Sequence, residues 1–189
     1  MITGSDIREH FYCDGKCVKE KVIEQTFNDS ICQLYPDTVI EKTFGLHKSK
    51  IRTDGIIKFS TGKWLLQECK RDVGINSVTI SRAFLQTMYY LVRYFDNGTT
   101  VNVQDFKGFL LDSARFICYI PGDDIKALMD DFIVIYNKYY EVRPSEAYII
   151  PEMNKWAISH FKTIRKYVFN LNFTFRFDLF MKDLYNNKI

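Results

Sequence analysis

The stretch Ile51-Arg52-Thr53-Asp54-Gly55-Ile56-Ile57, answered downstream by Leu65-Leu66-Gln67-Glu68-Cys69-Lys70, decides the fold. Both runs lie in strand-like segments, Ile51 to Phe59 and Lys63 to Lys70, with Ser60-Thr61-Gly62 as a tight hairpin turn between them. Side chains alternate faces along a strand, so Glu68 and Lys70 point the same way, roughly 7 Å apart. The hairpin lays the Asp54 strand beside them. A core strand that passes through Trp64, Leu65 and Leu66 and ends in two charges on one face is unusual, unless those charges are paired or bind something.

Working outward, Thr38 to Phe44 predicts a third strand. Before it, Val22, Ile23, Phe27, Ile31 and Leu34 recur at helical spacing within a helix from Val18 to Leu34, ended by Tyr35-Pro36-Asp37. After Lys70, Asn76-Ser77 offers an N-cap for a long helix to about Phe95, stopped by Asp96-Asn97-Gly98. Lys107 to Leu111 and Arg115 to Ile120 predict two further strands around an Asp112-Ser113 turn, and Pro121-Gly122-Asp123 opens a helix from about Asp124 to Tyr140. The last quarter reads as helical, broken by Pro144 and Pro151. The expected class is α/β, a central mixed β-sheet flanked by helices. A core of residues 1–140 would carry a helical C-terminal extension, 141–189, packed on it.

Composition bounds the function. The chain has 189 residues, 47% of them hydrophobic and 26% charged, which suits a globular core and excludes disorder as the default. A net charge of +3 permits a nucleic-acid partner without demanding one. The 16 Phe and 12 Tyr are read first as core packing and only second as base-stacking surfaces. Five scattered cysteines (Cys13, Cys17, Cys32, Cys69 and Cys118) do not form a disulfide framework. With no apolar leader at Met1 to Asp6 and no run of about 18 apolar residues, the expectation is a reduced, cytoplasmic protein with no membrane partner. His10, His47 and His160 have no paired spacing, and no P-loop, dinucleotide glycine motif or Ser–His or Cys–His nucleophile pattern is present.

Phosphodiester cleavage needs a positive centre that neutralises phosphate charge and acidifies an attacking water. Hard cations such as Mg²⁺ prefer oxygen ligands and retain several waters. Carboxylates on adjacent strands can hold such an ion, and a neighbouring lysine can orient water or stabilise developing negative charge. The helix after Lys70 has an apolar stripe at Ile80, Phe84, Met88, Leu91 and Phe95, while Arg82, Gln86, Tyr90 and Arg93 lie on its other face. Gln86 and Tyr90 are one turn apart and therefore neighbours. A plain alternative stands beside this reading: a Glu68–Lys70 surface ion pair, with Asp54 opening a turn before Gly55.

Taken together, Asp54, Glu68-Cys69-Lys70 and the Gln86-to-Tyr90 spacing resemble the PD-(D/E)xK nuclease superfamily over about Val18 to Ile120. The Gln-x-x-x-Tyr element resembles the branch that includes the nuclease domains of recombination helicases. The Asp54-to-Arg71-Asp72 run also resembles the amino-terminal nuclease domain of restriction enzymes fused to a methyltransferase. The resemblance implies a restriction-endonuclease-like fold and Mg²⁺-dependent DNA hydrolysis, with Mn²⁺ able to substitute. It implies Asp54 and Glu68 as metal ligands, Lys70 as catalytic lysine, and Gln86 and Tyr90 touching the scissile phosphate or DNA backbone. Many members add an acidic residue from the first helix; Glu24 is the first choice here and Glu20 the second. Thr53 stands where the family often has Pro. Some relatives bind an iron–sulfur cluster through one early and three late cysteines, which a chain with no cysteine after Cys118 does not supply. The Cys13-to-Cys17 pair lacks a second pair or a histidine couple for zinc.

The basic lead-in His47-Lys48-Ser49-Lys50-Ile51-Arg52 suits a phosphate backbone, so Lys48, Lys50, Arg52, Arg82 and Arg93 are the candidate DNA contacts. Lys155, Ser159, Lys162 and Lys166 share a helical face and form a second candidate surface. The leading expectation is a restriction-type endonuclease acting in defence, paired as a homodimer to cut both strands, with a methyltransferase or helicase partner. A recombination or repair exonuclease is the sibling reading. A non-catalytic DNA-binding module on the same fold is the alternative from another class, against which the intact Asp54, Glu68 and Lys70 speak.

Overall fold

The computed structural model describes residues 1–43, 52–71, 77–96, 103–160 and 165–189. Six strands form one sheet in simple order: β3 (Val39–Thr43), β4 (Arg52–Lys58), β5 (Trp64–Cys69), β6 (Phe106–Asp112), β7 (Phe116–Pro121) and β8 (Val168–Asn170). Only β5 and β6 run parallel; every other neighbouring pair is antiparallel, so the sheet is mixed as expected. A parallel pair needs a crossover, and the helix α3 (Ser77–Asp96) supplies it. A separate two-stranded hairpin, β1 (Tyr12–Cys13) and β2 (Lys16–Cys17), turns through Asp14 and Gly15, both at positive φ. Asp-Gly is the favoured pair for such a turn. The short spacing of Cys13 and Cys17 thus reflects a hairpin.

Burial explains the strand order. Every residue of β5 and β6 is buried, as central strands covered on both faces must be. Alternate residues feed two cores. Ile56, Trp64, Leu66, Phe109 and Phe116 pack under α3, α4 (Gly122–Lys138) and α5 (Pro151–Ser159). Ile57, Leu65, Cys69, Leu110 and Ile117 pack under α1 (Gly4–Arg8), α2 (Glu20–Leu34) and α6 (Phe177–Tyr185). Four residues of the predicted α3 stripe, Ile80, Phe84, Met88 and Leu91, are fully buried, and the side chain of the fifth, Phe95, lies outside the described residues.

The C-terminal quarter differs from a purely helical extension. Its Val168–Asn170 stretch pairs with Phe116–Cys118 and becomes the sheet's edge strand. The backbone around Phe175–Phe177 then bonds Gly4 and Ile2, tying the last helix to the first residues. Three residues carry too little alternation to be read as a strand, and their pairing depends on partners about fifty positions away. The helix bearing Lys155 ends at Ser159, and of the other two lysines predicted on its face Lys162 lies outside the described residues.

Gly108 fixes where β6 meets α4. Its φ is +150°, and a Cβ there would sit 2.2 Å from the Ile120 carbonyl oxygen and 3.1 Å from the Gly122 nitrogen. Both obstacles are backbone. Gly108→Ala is therefore expected to destabilise the fold by about 3 kcal/mol, through backbone strain and steric displacement, read as a lower urea midpoint at unchanged m-value.

Candidate functional site

The site grows from the place where the β4–β5 ladder stops. Backbone pairing runs from Lys58–Trp64 to Gly55–Gln67. Past it, the Asp54 carboxylate takes over, accepting the Cys69 backbone N–H at 2.7 Å. One carboxylate oxygen thereby pins β4 to β5 and fixes the side chain. Gly55 is needed at this point for a second reason: a Cβ would lie 2.4 Å from Gln67 Oε1, so glycine lets the Gln67 amide lie across β4.

Glu68 shares a face with Leu66 and Trp64, beneath α3, and is only 3% exposed. Lys70 Nζ donates to Glu68 Oε1 at 2.6 Å. Burial pushes the Glu68 carboxyl up to about 7; Lys70 opposes that rise, while the charges of Asp54 and Glu20 add to it. Asp54 is also raised, by burial first, against the Cys69 N–H and Lys70. Burial pulls the Lys70 ammonium down, but Glu68, Glu20 and Asp54 outweigh it and leave its pKa raised. Two partly desolvated carboxylates thus share the Lys70 ammonium, with Lys42 also acting on Asp54.

From above, α3 adds Gln86 and Tyr90. Gln86 Nε2 donates to Tyr90 Oη at 2.7 Å. Burial raises the Tyr90 phenol, and Glu68, Asp54 and Lys70 all act on it, so the ring lies within electrostatic reach of all three. The two arginines of this face part company. Arg93 donates to the carbonyls of Tyr140 and Val142 and to Tyr136 Oη, which makes it a brace for the loop after α4. Arg82 is exposed, its guanidinium 4.0 Å from the centre of the Tyr148 ring.

From the far side of the sheet edge, α2 brings both glutamates. Glu24 is paired with Lys42 on β3, and its charge acts on Asp54. Glu20 Oε2 accepts the Arg71 backbone N–H at 3.1 Å, and its charge acts on Glu68 and Lys70. Arg71 in turn donates to the carbonyls of Val18 and Cys17, clamping the chain after β5 to the start of α2. Glu24 is thus paired with its own lysine, whereas the charge of Glu20 acts at the Glu68–Lys70 end. Lys48 and Lys50 lie outside the described residues, and of Arg52 only the backbone, in β4, is described.

The reading as a turn at Asp112-Ser113 missed a buried polar group behind the site. Asp112 closes β6 opposite Cys69 and is fully buried. Its Oδ2 accepts Gln67 Nε2 at 2.6 Å, and its carbonyl accepts the Lys70 N–H at 2.8 Å. Asp112 Oδ1 and Gln67 Oε1 have no hydrogen-bond partner among the described residues. Burial pushes Asp112 up to about 7. A protonated Asp112 has a donor to offer where a carboxylate has none. The only sequence signal was an acidic residue directly after an apolar run, which also describes any turn.

Among the described residues, no three His, Cys, Asp or Glu side chains gather closely enough to hold an ion by themselves. Among the described residues, no helix is long and apolar enough to cross a membrane.

Asp112 makes stability depend on pH with a definite sign. Its folded pKa is raised from 3.8 to about 7, so the folded state holds the proton more tightly. The stabilisation is fully present below pH 3.8 and fades as pH rises through about 7. Glu68, also at about 7, acts in the same direction. The metal-free protein is expected to lose stability from pH 5 to pH 8. Asp112→Asn should remove up to about 2.5 kcal/mol of that loss, seen as a flatter dependence of the urea midpoint on pH.

No family model matches this sequence, and no curated protein or solved structure matches it.

Proposed function

We propose that this chain is a Mg²⁺-dependent nuclease that hydrolyses phosphodiester bonds in DNA, of the restriction-endonuclease type. What supports the reading is that Asp54 and Glu68 stand on neighbouring strands, close enough for the charge of Asp54 to raise Glu68, with the Lys70 ammonium 2.6 Å from Glu68. The patch fits a divalent ion on its own chemistry. Both carboxylates are raised by burial, Asp54 raises Glu68 further, and one ammonium does not cancel the excess. Mg²⁺ is commonly held by one or two carboxylates, with waters and substrate phosphate completing the shell, so a pair suffices.

When bound, the ion would neutralise phosphate charge and acidify water. The chain's own groups do the rest. Asp54 stays oriented because its other oxygen is engaged by Cys69 N–H. Lys70 offers a positive charge whose other donors can meet a phosphate oxygen or an attacking water. Tyr90 and Gln86 place a hydroxyl and an amide above the same patch, suited to a phosphate oxygen. Glu20 is the better-placed helix carboxylate for Glu68 and Lys70, and Glu24 for Asp54. An endonuclease acting in defence as a homodimer, beside a methyltransferase or helicase partner, is the fuller form of this proposal.

The test is cleavage of circular plasmid and linear DNA by the purified chain, with Mg²⁺ or with EDTA. Nicking of the circle in Mg²⁺ and none in EDTA is the expected result. Asp54→Asn and Lys70→Met should each reduce the rate by at least about a hundredfold at a temperature where circular dichroism shows both variants folded. Cutting restricted to linear DNA would favour the exonuclease reading. Binding without cutting under every condition would favour the non-catalytic module.

A further inference from the structure

Resting on the nuclease reading above, we propose that Tyr148 is a positioning residue that holds Arg82 as the contact for a DNA phosphate beside the scissile one. Arg82, Gln86 and Tyr90 occupy successive four-residue steps of α3, so they form a row along one face, each step about 6 Å along the axis. Tyr90 lies at the acidic patch and is linked to Gln86. Arg82 continues the row one step further, beyond Gln86.

The state of the two arginines distinguishes them. Arg93 commits its guanidinium to two carbonyls and a phenol. Arg82 is exposed, and its one recorded interaction among the described residues is with the face of Tyr148. A guanidinium stacked on a ring keeps its in-plane donors directed outward, the fork that matches phosphate oxygens. Tyr148 can serve as such a shelf because its own position is fixed: it sits half-buried in the Pro144–Ile149 turn, packed against the core beneath α3. An arginine on a free helix face would sample many rotamers, and stacking removes most of that freedom before substrate arrives. The ligand implied is the phosphodiester backbone of the same strand that enters the acidic patch. Because the contact lies away from the reacting phosphorus, it acts on binding more than on chemistry.

The experiment measures kcat, KM and the salt dependence of DNA binding for the full chain in Mg²⁺. Arg82→Ala should raise KM about tenfold with kcat within about twofold, and lower the log–log salt slope by about 1. Tyr148→Ala should raise KM about threefold with the same small kcat effect, and Tyr148→Phe should restore the wild-type KM because it keeps the ring face. Arg82 is exposed, so its substitution reads the contact even if Tyr148→Ala unfolds. Unchanged KM and salt slope in Arg82→Ala would overturn the inference, as would wild-type values in a folded Tyr148→Ala. A wild-type chain that neither binds nor cleaves DNA would instead refute the nuclease reading beneath it.

Discussion

Glu68 stands next to the end of a strand whose residues are all buried, and keeping a carboxylate there requires compensation from somewhere. The surrounding structure is organised by that requirement. Lys70 folds back to the Glu68 oxygen, Asp54 replaces the last rung of the β4–β5 ladder, and Arg71 ties the following chain to the start of α2. Each of these contacts brings another charged group to the same end of the sheet. Even so, Lys70 does not suffice, and Glu68 stays raised to about 7. A cation bound beside Glu68 and Asp54, as proposed above, would favour their charged forms.

The two faces of β5 divide the labour. On the α3 face Glu68 and Lys70 lie within electrostatic reach of Tyr90, to which Gln86 donates. On the α2 face Gln67 and Cys69 meet Asp112, a neutralisable acid with no access to solvent. The back-face group braces the strand on which the front-face group stands, since Asp112 also accepts the Lys70 backbone N–H. Hydrogen bonds to Asp112 thus brace the strand from behind at Gln67, Cys69 and the Lys70 backbone.

Much of this was legible in the chain. The hairpin carrying Asp54 and Glu68 announced itself by alternation around Ser60-Thr61-Gly62, and the α3 stripe by its 3.6-residue period. The front face of the site followed from strand parity alone. What local pattern could not carry was tertiary compensation. Glu24 and Glu20 look equivalent on one helix face, and only the placement of β3 gives Glu24 its Lys42. Arg82 and Arg93 likewise look interchangeable until the loop after α4 is seen to take Arg93. Asp112 read as a turn because the burial that defines it comes from the parallel neighbour β5, more than forty residues earlier. The edge strand Val168–Asn170 was hidden for the same reason, being short and paired only through distant partners.

The central claim is that oxygens of Asp54 and Glu68 converge to capture one divalent cation. Anomalous diffraction from crystals soaked in Mn²⁺ tests it directly. The account predicts a single strong peak with an oxygen of each carboxylate within about 2.2 Å, the Lys70 ammonium nearby but not coordinating. Two carboxylates found with no ion between them at saturating Mn²⁺, or an ion held at other residues, would contradict it.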